Sequence, residues 1–402
     1  MAITIILHEA TRTGAPRLGG LIARELARDE DARVLVMKDG PLTPWLRQLL
    51  GAQNVVVCRG DPFHFRVPFD ERLRLAGEML EGDPADLIYA NSLATSVFAF
   101  AAAQQKRRTI VHVHEKIAEM VNLLAHDATK LDLMRLADAA VLAAEDIAAD
   151  LIEVFGTAPP IVETLGVAVD LAAVREAALA PAPSPLNARG EALQPGERMI
   201  VAMSGQASAR KGVDIFFGVA AALPDRDFLW IGGWRPEDTA DNIAYDDFLA
   251  RNLPNFYVTG PVDNPFPYMR MLDLFFLSSR EDPNPLVLGE ALALNRPLLC
   301  FSQTTAIADR LGRCGIVCHG RPNVADAARV IGACSTQALR SPAFRNLGEA
   351  YVGDYDLNQK MESLRDLIAR LRGVAPARTA RFDATGVQPR YLETGAVELT
   401  FS

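Results

Sequence analysis

Cysteine is scarce in this 402-residue chain: Cys58, Cys300, Cys314, Cys318 and Cys334 are odd in number and mostly lie inside apolar runs. That excludes a disulfide framework, and the five read as reduced thiols packed as small hydrophobes. Cys314 and Cys318 are a close pair with His319 beside them, but no second pair supplies the remaining ligands of a structural zinc, so no metal is expected. No apolar run reaches the roughly 18 residues of a membrane span. Met1 leads straight into ITIIL, without the basic start, long apolar core and small-residue cleavage site of a signal peptide, so a cytosolic protein is expected. Positive charge is also in deficit. Lys and Arg total 41 against 50 Asp and Glu, a net charge of −9, of which residues 1–165 hold −6 (17 basic, 23 acidic) and the remainder −3 (24 basic, 27 acidic). Nucleic acid is therefore not an expected partner. The basic clusters Lys106-Arg107-Arg108 and Arg72/Arg74 are short and read as solvated faces, which leaves at most a weak peripheral membrane contact. Oligomeric state is not legible.

What is present is the composition of an ordinary globular protein, 50% apolar and 23% charged. The length exceeds what one core usually serves, which predicts two domains. Residues 2–7 are apolar and β-branched; His8 to Thr13 is polar; Leu18, Leu21, Ile22 and Leu26 then fall on one helical face. Strand candidates recur at Val34–Met37, Val55–Cys58, Leu87–Ala90, Thr109–Val113 and Ala139–Leu142, separated by helix-length segments. After Ala180 to Gly196, rich in proline and small residues, a second series runs through Met199–Met203, Phe228–Ile231, Phe256–Thr259, Leu274–Leu277, Leu298–Phe301 and Gly315–Cys318. Continuous apolar strands alternating with helices predict parallel sheets covered on both faces. The fold class is α/β, with two Rossmann-like doubly wound domains.

Ligands of such sheets bind beyond the carboxyl ends of the strands, so the polar residues after each run are the candidates. The first strand is followed by His8-Glu9 and by Gly14, where a small residue lets the backbone approach a ligand at a helix start. The spacing is not that of a dinucleotide fingerprint, and a plain tight turn accounts for it equally well. Asn91 follows the fourth strand, and His114-Glu115 the fifth. In the second series Ser204-Gly205 leads to Arg210-Lys211, two cations just before a helix, where a phosphate group is favoured. The segment SSREDPNPLVLGEAL, Ser278 to Leu292, follows a buried strand and enters a helix. Pro285 suits the first helical position, so the N–H groups of Leu286 and Val287 would point out of a positive helix end. Glu290 lies one turn deeper than Leu286 on the same face, and Asp282 sits ahead of the helix on the loop.

Asp282 and Glu290 have seven residues between them, and the segment aligns without gaps on the Glu-x7-Glu segment of the family 4 retaining glycosyltransferases, which it resembles. The likeness covers roughly Ile3 to Leu371. It implies the glycosyltransferase B architecture, two Rossmann-like domains facing across a cleft: an acceptor domain over 1–170, a donor domain over 171–355, a closing helix over 356–372 that crosses back, and a tail over 373–402. By resemblance Glu290 accepts hydrogen bonds from the ribose, the helix start at Leu286 and Val287 holds the diphosphate with Lys211, Asp282 orders the donor sugar, and His114 contacts that sugar near its reacting carbon. Gly14, Asn91, Gly205, Arg210, Glu281 and Asn284 complete the expected substrate-binding set. The implied activity is a metal-independent, retaining transfer of a sugar from a nucleoside diphosphate to a glycan, lipid or small-molecule acceptor, as in polysaccharide biosynthesis, with the sugar nucleotide as co-substrate and no further cofactor. A non-catalytic sugar-nucleotide-binding subunit and a sugar-nucleotide epimerase of the same fold are the alternatives. The chain departs from the family pattern at Gln206, where an arginine is usual, at Asp282, where a glutamate is usual, and at Pro283, where a glycine is usual. Glu281 and Asp282 are adjacent; gapless alignment selects Asp282. Asp354-Tyr355-Asp356 superficially matches a metal-binding Asp-x-Asp, but Asp356 with Gln359 three residues on reads as a helix-capping box. The stretch Gly395 to Phe401 alternates like an edge strand.

Overall fold

The computed structural model describes residues 2–126, 132–166, 168–234, 243–282, 285–305, 308–312, 315–373, 387–391 and 397–401. The chain forms two compact units, Met1–Gly166 with Lys360–Ser402, and Val167–Gln359. The proline-rich stretch Ala180–Gly196 thus lies inside the second unit.

The first unit is built on seven strands, β1 (Ala2–Leu7), β2 (Asp31–Val36), β3 (Val55–Val57), β4 (Leu87–Asn91), β5 (Arg108–Val113), β6 (Ala139–Leu142) and β7 (Ile161–Thr164), in the order β3-β2-β1-β4-β5-β6-β7. All pairs are parallel. The central strands β4 and β6 are buried along their whole length, as a sheet covered on both faces requires. β7 was not foreseen. Its sequence IVET exposes alternate positions, so it lacks the continuous apolar run by which its neighbours are recognised. The chain order reverses between β1 and β4, which makes the carboxyl ends of those two strands the switch point of the sheet. The helix Gly14–Leu26 leaves from there and packs closely, because a Cβ at Gly19 would lie 2.5 Å from Leu7 Cδ2 and 2.9 Å from Asn91 Nδ2.

The second unit repeats the plan with β8 (Leu186–Asn187), β9 (Ile200–Ser204), β10 (Asp227–Ile231), β11 (Phe256–Val258), β12 (Leu274–Phe276), β13 (Leu298–Phe301) and β14 (Gly315–Cys318), in the order β14-β13-β12-β9-β10-β11-β8. Six strands are parallel; β8 pairs antiparallel on β11 at the edge. β8 comes from the proline-rich stretch, where two residues suffice because only one side of an edge strand needs partners. The switch point lies between β9 and β12. The core here is aromatic: Phe216 sits edge-on to Phe228 and Trp230 at 5.5 Å and is stacked on Phe276 at 5.9 Å.

The helix Leu357–Arg372 begins in the second unit and belongs to the first from Lys360 onward. Within the first unit Arg372 pairs with Asp86 at 3.0 Å and with Glu30 at 2.5 Å, while Arg108 Nε donates to the Leu371 carbonyl at 2.6 Å. Asp356 caps this helix by accepting from Asn358 N at 2.8 Å. The reciprocal half of the expected capping box does not form; the Asp356 N–H goes to the Gly353 carbonyl at 3.0 Å instead. In the tail, β15 (Val387–Tyr391) and β16 (Val397–Phe401) form a two-stranded antiparallel hairpin, not an edge strand of a larger sheet.

Candidate functional site

At the switch point of the second unit two loops are stitched together, the one after β9 and the one after β12. Gly212 caps the helix Val213–Ala222 with φ +69°, and a Cβ there would stand 2.1 Å from the Ser278 carbonyl oxygen. Only glycine fits so close to another backbone. Across the seam Ser278 Oγ donates to the Lys211 carbonyl at 2.9 Å, Arg280 N to the Arg210 carbonyl at 2.8 Å, and Arg210 Nη1 to the Glu281 carbonyl at 3.1 Å. The Arg280 guanidinium forks onto both oxygens of Asp214 at 2.8 and 2.6 Å. It holds the Asp214 carboxyl below its usual range by hydrogen bonding, against a smaller opposing effect of burial.

The stitching brings Lys211 onto Asp282. Lys211 Nζ forms an ion pair with Asp282 Oδ2, and Ser279 Oγ donates to the same oxygen at 3.2 Å. The backbone beneath is fixed by Asp282 N donating to the Thr304 carbonyl at 2.9 Å and by Thr304 Oγ1 donating to the Ser279 carbonyl at 3.0 Å. Asp282 is 7% exposed, whereas Glu281 is exposed. Of the two adjacent carboxylates, the buried one is therefore that which gapless alignment selects. Glu290, 4% exposed, lies on the helix Leu286–Ala293. Pro285 is the N-cap of this helix and not its first residue, and among the described residues no side chain caps it, so the leading N–H groups are those of Leu286 and Val287. Gly205 sits at the end of β9 with φ +151°, its N–H bonded to the Ile231 carbonyl at 2.9 Å.

At the switch point of the first unit, register places Leu7 beside Asn91 and Asn91 beside His112. Asn91 is fully buried; its Nδ2 donates to the Ala15 carbonyl at 2.9 Å and its Oδ1 lies 3.0 Å from His114 Nε2. His114 is half-buried, its ring 3.9 Å from that of His112. Burial first and neighbouring His8 second push its pKa down to about 3, so the ring is neutral at physiological pH. Glu115 accepts from Ser92 Oγ at 2.5 Å, Leu93 N at 3.2 Å and His114 N at 2.9 Å. Gly14 opens the helix Gly14–Leu26 behind a short hydroxyl chain, in which Thr11 Oγ1 donates to Glu9 Oε1 at 2.7 Å and lies 2.9 Å from Thr13 Oγ1.

The residues singled out in the sequence thus fall into two groups. Gly205, Arg210, Lys211, Glu281, Asp282, Leu286, Val287 and Glu290 belong to the second unit, and Gly14, Asn91 and His114 to the first. Asn284 lies outside the described residues, as does Pro283. Sequence reasoning missed Ser279 and Thr304, the two residues that fix Asp282. Applying the strand-end rule to β13 would have pointed to Thr304. Among the described residues no three His, Cys, Asp or Glu side chains converge as a metal site, and no helix is long and apolar enough to cross a membrane.

The family described as Glycosyl transferases group 1 matches residues 197–335. Alpha-galactosylglucosyldiacylglycerol synthase of Streptococcus pneumoniae is 30% identical over 106 residues, 25% of this chain and 28% of that protein. The chain thus spans little more than a quarter of the curated relative that it matches. Among solved structures, Anabaena HepE in complex with UDP and glucose superposes with a TM-score of 0.72 at 16% identity, covering 91% of this chain and 99% of that one. WaaG, a glycosyltransferase involved in lipopolysaccharide biosynthesis, gives 0.65 at 15% identity over 91% and 99%. The two seven-stranded α/β sheets, parallel except for β8, are those of the glycosyltransferase B fold.

Proposed function

We propose, from a second unit that carries the group 1 glycosyl transferase match within a glycosyltransferase B fold, that this protein transfers a hexosyl group from a nucleoside-diphosphate sugar to an acceptor, with retention at the anomeric carbon and without a metal. The observation that carries the reading is the Lys211–Asp282 pair at the β9/β12 switch point, beside a helix start that no side chain among the described residues caps.

Each group then has a chemical task. An ammonium has three N–H donors; Asp282 takes one from Lys211, which leaves two for the diphosphate. The Leu286 and Val287 N–H groups receive the same anion at the positive end of the helix dipole. Together they stabilise the charge that grows on the leaving diphosphate, the work a divalent ion does in other transferases. Among the described residues the Asp282 carboxylate is engaged through Oδ2, which leaves Oδ1 to order a sugar hydroxyl. Glu290 accepts from the ribose diol. His114 is the first unit's candidate for a contact with substrate. With no carboxylate assigned as nucleophile, the departing phosphate takes the acceptor proton in a front-face attack. We place the reaction in the cytosol, in keeping with Cys58, Cys300, Cys318 and Cys334 being free thiols.

UDP-glucose is the first donor to try, since the HepE structures hold UDP, glucose and UDP-glucose. A sugar nucleotide at a hundred times its dissociation constant should stabilise the fold by about 2.7 kcal/mol, and UDP release should rise when a suitable acceptor is added. A panel of sugar nucleotides that neither stabilises the protein nor releases nucleoside diphosphate would refute the reading. Stabilisation without release under any acceptor would instead favour a non-catalytic binding subunit.

A further inference from the structure

The bond between Asn91 and His114 fixes more than a distance, because one of its partners is a backbone carbonyl. The Ala15 oxygen can only accept, so the arm of the Asn91 amide that faces it at 2.9 Å is the NH2 group. The other arm is then the carbonyl oxygen, which can also only accept, and it lies 3.0 Å from His114 Nε2. That nitrogen must carry a hydrogen. Among the described residues His114 Nδ1 has no hydrogen-bond partner, nor is it among the polar atoms buried without one.

The strand ends are held so that this geometry persists. Ser92, next to Asn91, adopts φ +114° and ψ 149°, a region that residues with a side chain rarely enter and that persists only when the surroundings enforce it. Here Ser92 N donates to the His112 carbonyl at 2.9 Å, and Glu115 gathers Ser92 Oγ, Leu93 N and His114 N on one carboxylate. β4 and β5 are therefore tied together on both sides of the Asn91–His114 contact.

We infer that Asn91 is a positioning residue that holds His114 as the Nε2–H tautomer, leaving Nδ1 as the acceptor that the ring offers to a substrate hydroxyl. Asn91 itself does not touch substrate: it is fully buried and both arms of its amide are engaged. The substrate contact rests on the function proposed above, whereas the tautomer does not.

The full-length chain labelled with 15N-histidine tests the tautomer directly, with the His114 signals identified by their loss in His114→Gln. At neutral pH the wild-type ring should show Nε2 protonated and Nδ1 bare, as a single form. An Nδ1–H ring, or an averaged mixture, in the wild-type protein would overturn the inference without any variant having to fold. In Asn91→Ala the mixture should appear. Sugar transfer should fall about tenfold through kcat, on the scale of one hydrogen bond, with the donor KM nearly unchanged. Asn91→Asp retains an acceptor for Nε2–H and adds a negative charge, so it should keep the tautomer and raise the His114 titration. The other titratable groups around the ring are His8, His112 and Glu115, which both variants leave in place. An unmoved titration in a folded Asn91→Asp protein would also count against the contact. If the protein proved unable to transfer sugar while the wild-type tautomer was as stated, the proposed function and the substrate contact would fail, and the positioning of His114 by Asn91 would stand.

Discussion

Lys211→Ala is expected to damage both the fold and the chemistry, and the two losses can be separated. The side chains of Lys211 and Asp282 are 16% and 11% exposed, so the pair is largely withdrawn from water. Removing one partner of a fully buried pair costs about 3–5 kcal/mol, because an uncompensated charge remains, while an exposed pair is worth about 0.2–1 kcal/mol. Ser279 Oγ still donates to the orphaned carboxylate, and residual solvent screens it. A loss of about 2 kcal/mol follows, which for a unit of this size lowers its melting temperature by about 4–8 °C. Turnover should fall on the order of 100-fold, the effect of removing one preorganised donor to a developing charge. The double variant Lys211→Ala/Asp282→Asn removes the stranded charge as well, and an amide can still accept from Ser279. Most of the lost stability should therefore return, but none of the turnover. Denaturant unfolding and nucleoside-diphosphate release, run on wild type, Lys211→Ala and the double variant, give both quantities. Near-normal turnover in folded Lys211→Ala, or recovery of activity in the double variant, would refute the assignment of Lys211 to the leaving group.

Glu290→Ala should weaken nucleoside-diphosphate binding by about 1.5–3 kcal/mol, the worth of a charged hydrogen-bond partner; equal affinity by calorimetry would make Glu290 merely structural. Asp282→Ala should depress turnover with little change in that affinity, and Glu281→Ala clearly less, since Glu281 is exposed; the reverse ranking in paired kinetics would move the sugar contact by one residue. Gly212→Ala should destabilise by more than about 2 kcal/mol, because the new Cβ meets the Ser278 carbonyl at 2.1 Å and φ is +69°; an unchanged denaturation midpoint would contradict the stitching of the two loops. His112 and His114 both have their pKa lowered, chiefly by burial, so the unfolded chain binds more protons than the folded one below the ordinary histidine range. Stability should be undiminished above about pH 6.5 and fall as the pH drops toward 4. His114→Gln should flatten that slope, and a slope that stayed the same would show that His114 does not titrate with unfolding.

Much of the fold was legible because parallel sheets covered on both faces write long apolar runs into the sequence. β6, β13 and β14 begin and end where the runs do. β7 and β8 were not legible for the complementary reason. Edge strands are half-solvated, IVET carries only two apolar residues, and Leu186–Asn187 sits among prolines that elsewhere stop a strand. At the site, the strand-end rule and the gapless alignment named Lys211, Asp282 and Glu290. What no pattern could give was the partnership between them. That Lys211 touches Asp282 depends on a seam 71 residues apart in sequence, closed by Gly212, by the backbone bond from Arg280 to Arg210, and by the side chains of Ser278, Arg210 and Arg280. Asn91 looked like a ligand-facing residue because it ends a strand, but the same position beside Gly19 turns its amide inward onto Ala15 and His114.

The departures from the family pattern take on a physical meaning in this light. An aspartate at 282 is one methylene shorter than the glutamate it replaces, which on a loose loop would forfeit the contact with the donor. Here the loop is not loose. Asp282 N is bonded to the Thr304 carbonyl, Thr304 Oγ1 to the Ser279 carbonyl, and Arg280 to both Arg210 and Asp214. Its reach is set by where the backbone is pinned rather than by the length of its side chain, and Lys211 reaches it directly. Holding a short carboxylate on a pinned backbone also costs less side-chain entropy than ordering a glutamate. The same economy operates at the other switch point, where Asn91 is short, buried and bonded at both ends. In each unit, then, a short polar side chain near the proposed chemistry, Asp282 in one and Asn91 in the other, is buried and held by hydrogen bonds, as preorganised charge and hydrogen-bond direction require.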